Sequence, residues 1–135
     1  MTYEEMIKLA RKTKSRKKPA GDEHKIQVAC VDWFRLQYPK LRNVLFAIPN
    51  AARRSERNGA YMKDEGMLAG VSDLILLKSN RFYGSLCIEM KKPDKYQRPI
   101  QKEWQKECEA AGNKYVVCRS LDEFMKVVTD YLNDV

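Results

Sequence analysis

Two short apolar runs each enclose charges that a buried strand ordinarily excludes. They are Gly70-Val71-Ser72-Asp73-Leu74-Ile75-Leu76-Leu77 and Leu86-Cys87-Ile88-Glu89-Met90-Lys91. Taking a carboxylate out of water is costly unless a partner or a metal ion replaces the lost hydration. Side chains alternate along a strand, so Glu89 and Lys91 share one face while Met90 and Lys92 take the other. A turn at Ser79-Asn80 joins the runs, and antiparallel pairing brings Asp73 beside Glu89. Two hard oxygen ligands and one ammonium form a minimal set for holding Mg²⁺ or Mn²⁺ against a phosphate. Taken singly the residues have plainer readings, with Glu89 and Lys91 as a cross-strand charge pair and Asp73 as a turn cap.

The rest of the composition narrows the class. With 135 residues, the chain is one domain able to bury a real core. Its net charge is +8, of which the first twenty residues supply five through seven Lys/Arg against Glu4 and Glu5. A basic N-terminal arm over residues 1–21 and a folded domain over residues 22–135 fit that asymmetry, and a basic surface favours polyanions such as nucleic acid. The arm either tracks a nucleic-acid backbone or serves solubility. Cys30, Cys87, Cys108 and Cys118 form no Cys-x-x-Cys pair, and His24 is the single histidine, which argues against zinc and against a disulfide framework. Reduced core cysteines, no signal peptide and no membrane span together predict a soluble cytoplasmic protein.

Apolar spacing places a helix from Asp22 to Tyr38, stopped by Pro39, and a strand from Val44 to Ile48. Val28, Val31 and Phe34 widen the apolar surface of that helix, so more than one of its sides requires cover. A loop over residues 49–58 precedes a short helix over 61–68. Strands follow over 72–77 and 82–90, with Gly84 as a bulge, then a helix from Pro99 to Gly112 and a strand over 114–118. A last helix starts from a Ser120/Glu123 capping box. Thr2–Ala10 forms a further short helix ahead of a basic, polar stretch. Trp33, Trp104 and the tyrosines are read as core or interface rather than base-stacking platforms, since several sit at helical core spacing.

An Asp followed after a hairpin by Glu-x-Lys resembles the PD-(D/E)XK nuclease superfamily. Asn50, the Arg-rich loop, Gly66 and Gly70 before Ser72-Asp73, Ile88-Glu89-Met90-Lys91, Gln101 with Trp104, and Gly112 resemble its VRR-NUC branch, the virus-type replication-repair nucleases, over about Asp22 to Leu132. Ser72 stands where that family commonly has Pro. The resemblance implies an α/β restriction-endonuclease-like core, a central mixed sheet flanked by helices. It implies metal binding by Asp73, Glu89 and the backbone carbonyl of Met90, with Glu23 from the first helix reaching a second metal or a metal-bound water. Lys91 would orient the attacking water or stabilise charge on the phosphate, and Gln101 would hydrogen-bond within the site. Asn50, Arg53, Arg54 and Arg57 are read as phosphate contacts, with a solvated basic loop as the plain alternative.

The activity so implied is a Mg²⁺- or Mn²⁺-dependent, structure-selective DNA endonuclease, acting as a homodimer on branched DNA such as Holliday junctions. It would work in the cytoplasm of a bacterial or phage-infected host cell. A nickase of flap or gapped DNA, an RNA-directed nuclease, and a non-catalytic DNA-binding accessory protein are the alternatives.

Overall fold

A computed structural model of the chain describes residues 1–12, 21–49 and 56–135. Four strands, β1 (Leu45–Ala47), β2 (Leu74–Leu76), β3 (Leu86–Met90) and β4 (Lys114–Cys118), lie side by side in that order. The first three are antiparallel neighbours, and β4 runs parallel to β3. A parallel neighbour requires a crossover. Helix α4 (Pro99–Ala110) supplies it, with Pro99 at its first position and Gly112 (φ +92°) just past its end.

Alternation along β3 divides the interior in two. Leu86, Ile88 and Met90 join Cys30, Trp33 and Phe34 of α2 (Asp22–Gln37) and Phe124, Val128 and Tyr131 of α5 (Leu121–Asn133) in the main core. Cys87 instead meets Cys108 and Tyr115, with Trp104 packed against them beneath α4. All five β3 residues are buried, as a central strand with both faces covered requires. The expected mixed sheet flanked by helices is therefore the architecture observed, and all four cysteines are free and buried.

Several boundaries differ from the expectations. Val44 and Ile48 flank β1 through hydrogen bonds to Leu77 and Asp73 rather than lying within it. Residues 82–85 are not strand: Asn80 caps a turn through Phe82 and Tyr83, and its amide donates to Tyr131 O at 3.0 Å, pinning the hairpin to α5. Helix α3 spans Glu56–Asp64, earlier than 61–68, because Gly66, at φ +107°, takes the chain out of helical geometry. At α5, Ser120 Oγ accepts from Glu123 N as expected, while Glu123 Oε2 accepts from Arg119 N. The short helix expected over Thr2–Ala10 is α1 (Tyr3–Lys12), which packs on α2 with Met6 buried in the main core, while residues 13–20 of the basic arm lie outside the described residues. Trp33, Tyr115 and Tyr131 are buried, but Tyr61 and Tyr96 are exposed, against the core reading of the tyrosines. No helix among the described residues is long and apolar enough to cross a membrane.

Gly70, three residues before Asp73, has φ +86°, and a Cβ there would stand 2.8 Å from Ile100 O. It thus seats the first turn of α4 against the start of β2. Gly66→Ala, with open space around it, is expected to lose about 1–2 kcal/mol through backbone strain alone. Gly70→Ala is expected to lose clearly more, because strain and collision add. Chemical denaturation of both variants checks the order.

Candidate active site

The register decides what meets at the carboxyl end of β3. Leu74 pairs with Ile88, so one step further along the antiparallel pair sets Asp73 opposite Glu89. Strand β2 begins only at Leu74, and Met90 N–H, left without a ladder partner on that side, donates to Asp73 Oδ2 at 2.7 Å. A side chain has replaced the missing main-chain acceptor. Ser72, fully buried, donates through Oγ to Leu74 O at 3.2 Å and fixes the chain just before the aspartate.

Glu89 is 2% exposed. Its Oε1 accepts from Gln101 Nε2 at 3.0 Å, and its Oε2 is buried with no donor. Gln101 is oriented by its place on α4: its Oε1 accepts from Arg98 N at 2.8 Å and its own N donates to Arg98 O, so the amide nitrogen must face Glu89. Burial first, then the nearby charge of Asp73, push Glu89 up to about 8, with Lys91 acting in the opposite direction. Two neighbouring carboxyl groups repel when both are charged, and a proton on one or a cation beside them relieves it.

Lys91 extends the β3–β4 ladder by one bond, its N–H donating to Cys118 O at 3.0 Å. The strand period therefore keeps its side chain on the face of Glu89. Among the described residues the single ion pair within 4 Å is Lys126–Asp130, so Lys91 is not tied up as half of a Glu89–Lys91 salt bridge. The plain cross-strand-pair reading fails on that geometry. Glu23, in the first turn of α2, accepts from Lys92 N at 3.4 Å and adds its charge to the field at Glu89. Glu23, Asp73 and Met90, with Val28, Val31 and Arg35 of α2, line a cleft of about 240 Å³. The apolar residues that widened the α2 surface thus partly face a cleft.

Asn50, Arg53 and Arg54 lie outside the described residues, and Arg57 falls within α3 with its side chain outside them. Sequence reading missed Tyr115 and Gln97. Tyr115 OH accepts from Gln97 Nε2 at 3.1 Å, and burial followed by the Glu89 charge pushes its phenol up. Its signal was the β3–β4 pairing, since Tyr115 stands opposite Cys87 on the α4 face.

Asp73 and Glu89 fit a hard divalent cation: both are oxygen donors, and the orphaned Glu89 Oε2 lacks only a positive partner. Among the described residues no three His, Cys, Asp or Glu side chains converge on one point, so the side-chain share of such a site is that pair.

A model of the VRR-NUC domain matches residues 21–122. A solved structure described as a VRR_NUC domain protein is 26% identical, with a TM-score of 0.74 over 87% of this chain and 93% of its own. No curated protein matches the chain.

The raised Glu89 carboxyl makes a stability prediction. Its native value, about 8, lies above the ordinary 4.5, so the native state holds an extra proton between them. The stabilisation from this group is full below the ordinary value and is lost as pH rises through about 8. In EDTA, Glu89→Gln is expected to be more stable than wild type at pH 8.5, by on the order of 1–3 kcal/mol, the gap shrinking toward pH 5. Thermal melts across that range check it, and wild type holding the advantage at pH 8.5 counts against the buried-carboxylate argument.

Proposed function

The chain belongs to the VRR-NUC domain family, and from that premise we propose that it is a metal-dependent, structure-selective DNA endonuclease acting at branched DNA such as Holliday junctions. The observation that carries the reading is the buried Glu89, one oxygen unpartnered, opposite Asp73 and on the face of Lys91, which makes no ion pair among the described residues. A nuclease family accounts for that set; a merely structural strand does not, because it would bear the cost of burial for nothing.

Asp73 and Glu89, with the Met90 carbonyl, are the groups that would hold Mg²⁺ or Mn²⁺, and Glu23, which lines the same cleft as Asp73, is proposed to act on a second ion or its water. When bound, the ion supplies Lewis-acid polarisation of the phosphate and a more acidic water. The chain's own residues do the rest. Met90 N–H and Gln101 Nε2 hold the two carboxylates in place before substrate arrives. Lys91, on the face of the two carboxylates, positions water and stabilises the phosphate's developing charge rather than abstracting a proton. Water oxygen bonds to phosphorus in line as the bond to the 3′ oxygen breaks, leaving a 5′-phosphate and a 3′-hydroxyl. The 240 Å³ cleft along α2 offers the scissile strand a way in.

A homodimer suits the reading, because two-fold symmetry sets two such sites on opposing strands of a junction. Asn50, Arg53, Arg54 and Arg57 are proposed as phosphate contacts, and the cytoplasm of a bacterial or phage-infected cell as the setting.

Cleavage of a labelled four-way junction and its matched linear duplex, with Mg²⁺, Mn²⁺ or EDTA, tests the proposal. Wild type is expected to cut near the branch with either metal and not in EDTA, and Lys91→Ala to cut at least about 100-fold more slowly while still binding. Tight binding without cuts by either protein would instead assign a binding module.

A further inference from the structure

Strands β3 and β4 are parallel, so their carboxyl ends open on the same side of the sheet, where ligands of α/β folds commonly sit. The segments leaving them meet there. Arg119, just past β4, donates from Nη2 to Lys95 O at 3.0 Å, and its guanidinium lies over the Tyr96 ring, 5.9 Å from the centroid. Lys95 N closes a turn on Lys92 O at 3.1 Å. The loop after Lys91 is thus held from two sides, yet Tyr96 remains 79% exposed. Lys91, Lys92, Lys95 and Arg98 surround it in sequence, against the single acid Asp94.

A solitary exposed tyrosine is ordinary. This one has a guanidinium over its ring, is still largely exposed, and stands among cations five residues beyond Lys91. A positive surface carrying an exposed aromatic ring is matched by a nucleic-acid strand whose bases are free to stack. Bases within a duplex already stack on one another, whereas an unpaired base at a gap, flap or branch has a free face.

We propose that Tyr96 is a stacking platform for an unpaired base next to the scissile phosphate, and that it selects DNA structure rather than base sequence. The placement of that base beside the phosphate rests on the nuclease reading; the stacking itself does not. Every base presents a π face, so the contact carries no sequence preference.

The test is binding in EDTA, where no cleavage intervenes, to a gapped duplex, a fully paired duplex and a single strand, using wild type, Tyr96→Ala and Tyr96→Phe. Tyr96→Ala is expected to weaken gapped and single-stranded binding about tenfold, Tyr96→Phe to stay within about twofold of wild type, and paired-duplex binding to hold for all three. In wild type, 5-iododeoxyuridine placed in the gap is expected to photo-cross-link to Tyr96; this readout stands even if Tyr96→Ala misfolds. Equal weakening on gapped and paired DNA, no weakening on either, or a cross-link elsewhere overturns the platform. Structure-selective binding through Tyr96 without any cut in Mg²⁺ or Mn²⁺ would sink the nuclease reading alone. Cleavage that needs Lys91 while the Tyr96 variants bind like wild type would sink the platform alone.

Discussion

The juxtaposition of Asp73 and Glu89 at the frayed end of the β2–β3 pair is the constraint around which the surrounding structure is arranged. Two like charges in a buried place are expensive. The fold meets that cost with donors drawn from different parts of the chain: Met90 N–H for Asp73, and Gln101 Nε2, from the crossover helix, for Glu89. One carboxylate oxygen is left over. Ordinary cores close such gaps, and the metal-holding role proposed for Glu89 accounts for one left open.

The two faces of β3 divide the labour. On one, Leu86, Ile88 and Met90 anchor the strand into the core built with α2 and α5. On the other, Cys87 rests in a smaller cluster with Cys108 and Tyr115, and Glu89 follows two residues later on the same side. The large core fixes the strand's height and register, so the small one can tolerate polar chemistry beside it. Buried thiols fit this division: with Cys108 pushed up to about 12 by burial and its neighbour Cys87, they act as compact apolar filling rather than nucleophiles.

Much of this was legible in the residues because it depends on period-two alternation and pairing, which are local. Asp73 opposite Glu89, Lys91 on the same face, and Gln101 in the first turn of α4 all followed from spacing. What spacing did not disclose was set by tertiary contacts. Residues 82–85 carry strand-like side chains yet turn, because Asn80 and α5 hold them. Tyr96 looks like any other tyrosine until the fold sets Arg119 behind it. Glu23 entered only through the family resemblance; its contact with Lys92 N comes from how α2 lies across the sheet, which no local pattern encodes.

Gln101 spends both ends of one amide, accepting from the start of its helix and donating to the buried carboxylate. The first turn of α4 and the alignment of Glu89 are therefore one mechanical unit. Fraying of that turn releases the glutamine and leaves the carboxylate with no donor at all, so the lifetime of a single helical turn limits how long the site keeps its working shape. Flexibility that a surface helix would absorb unnoticed is transmitted here to a buried carboxyl group.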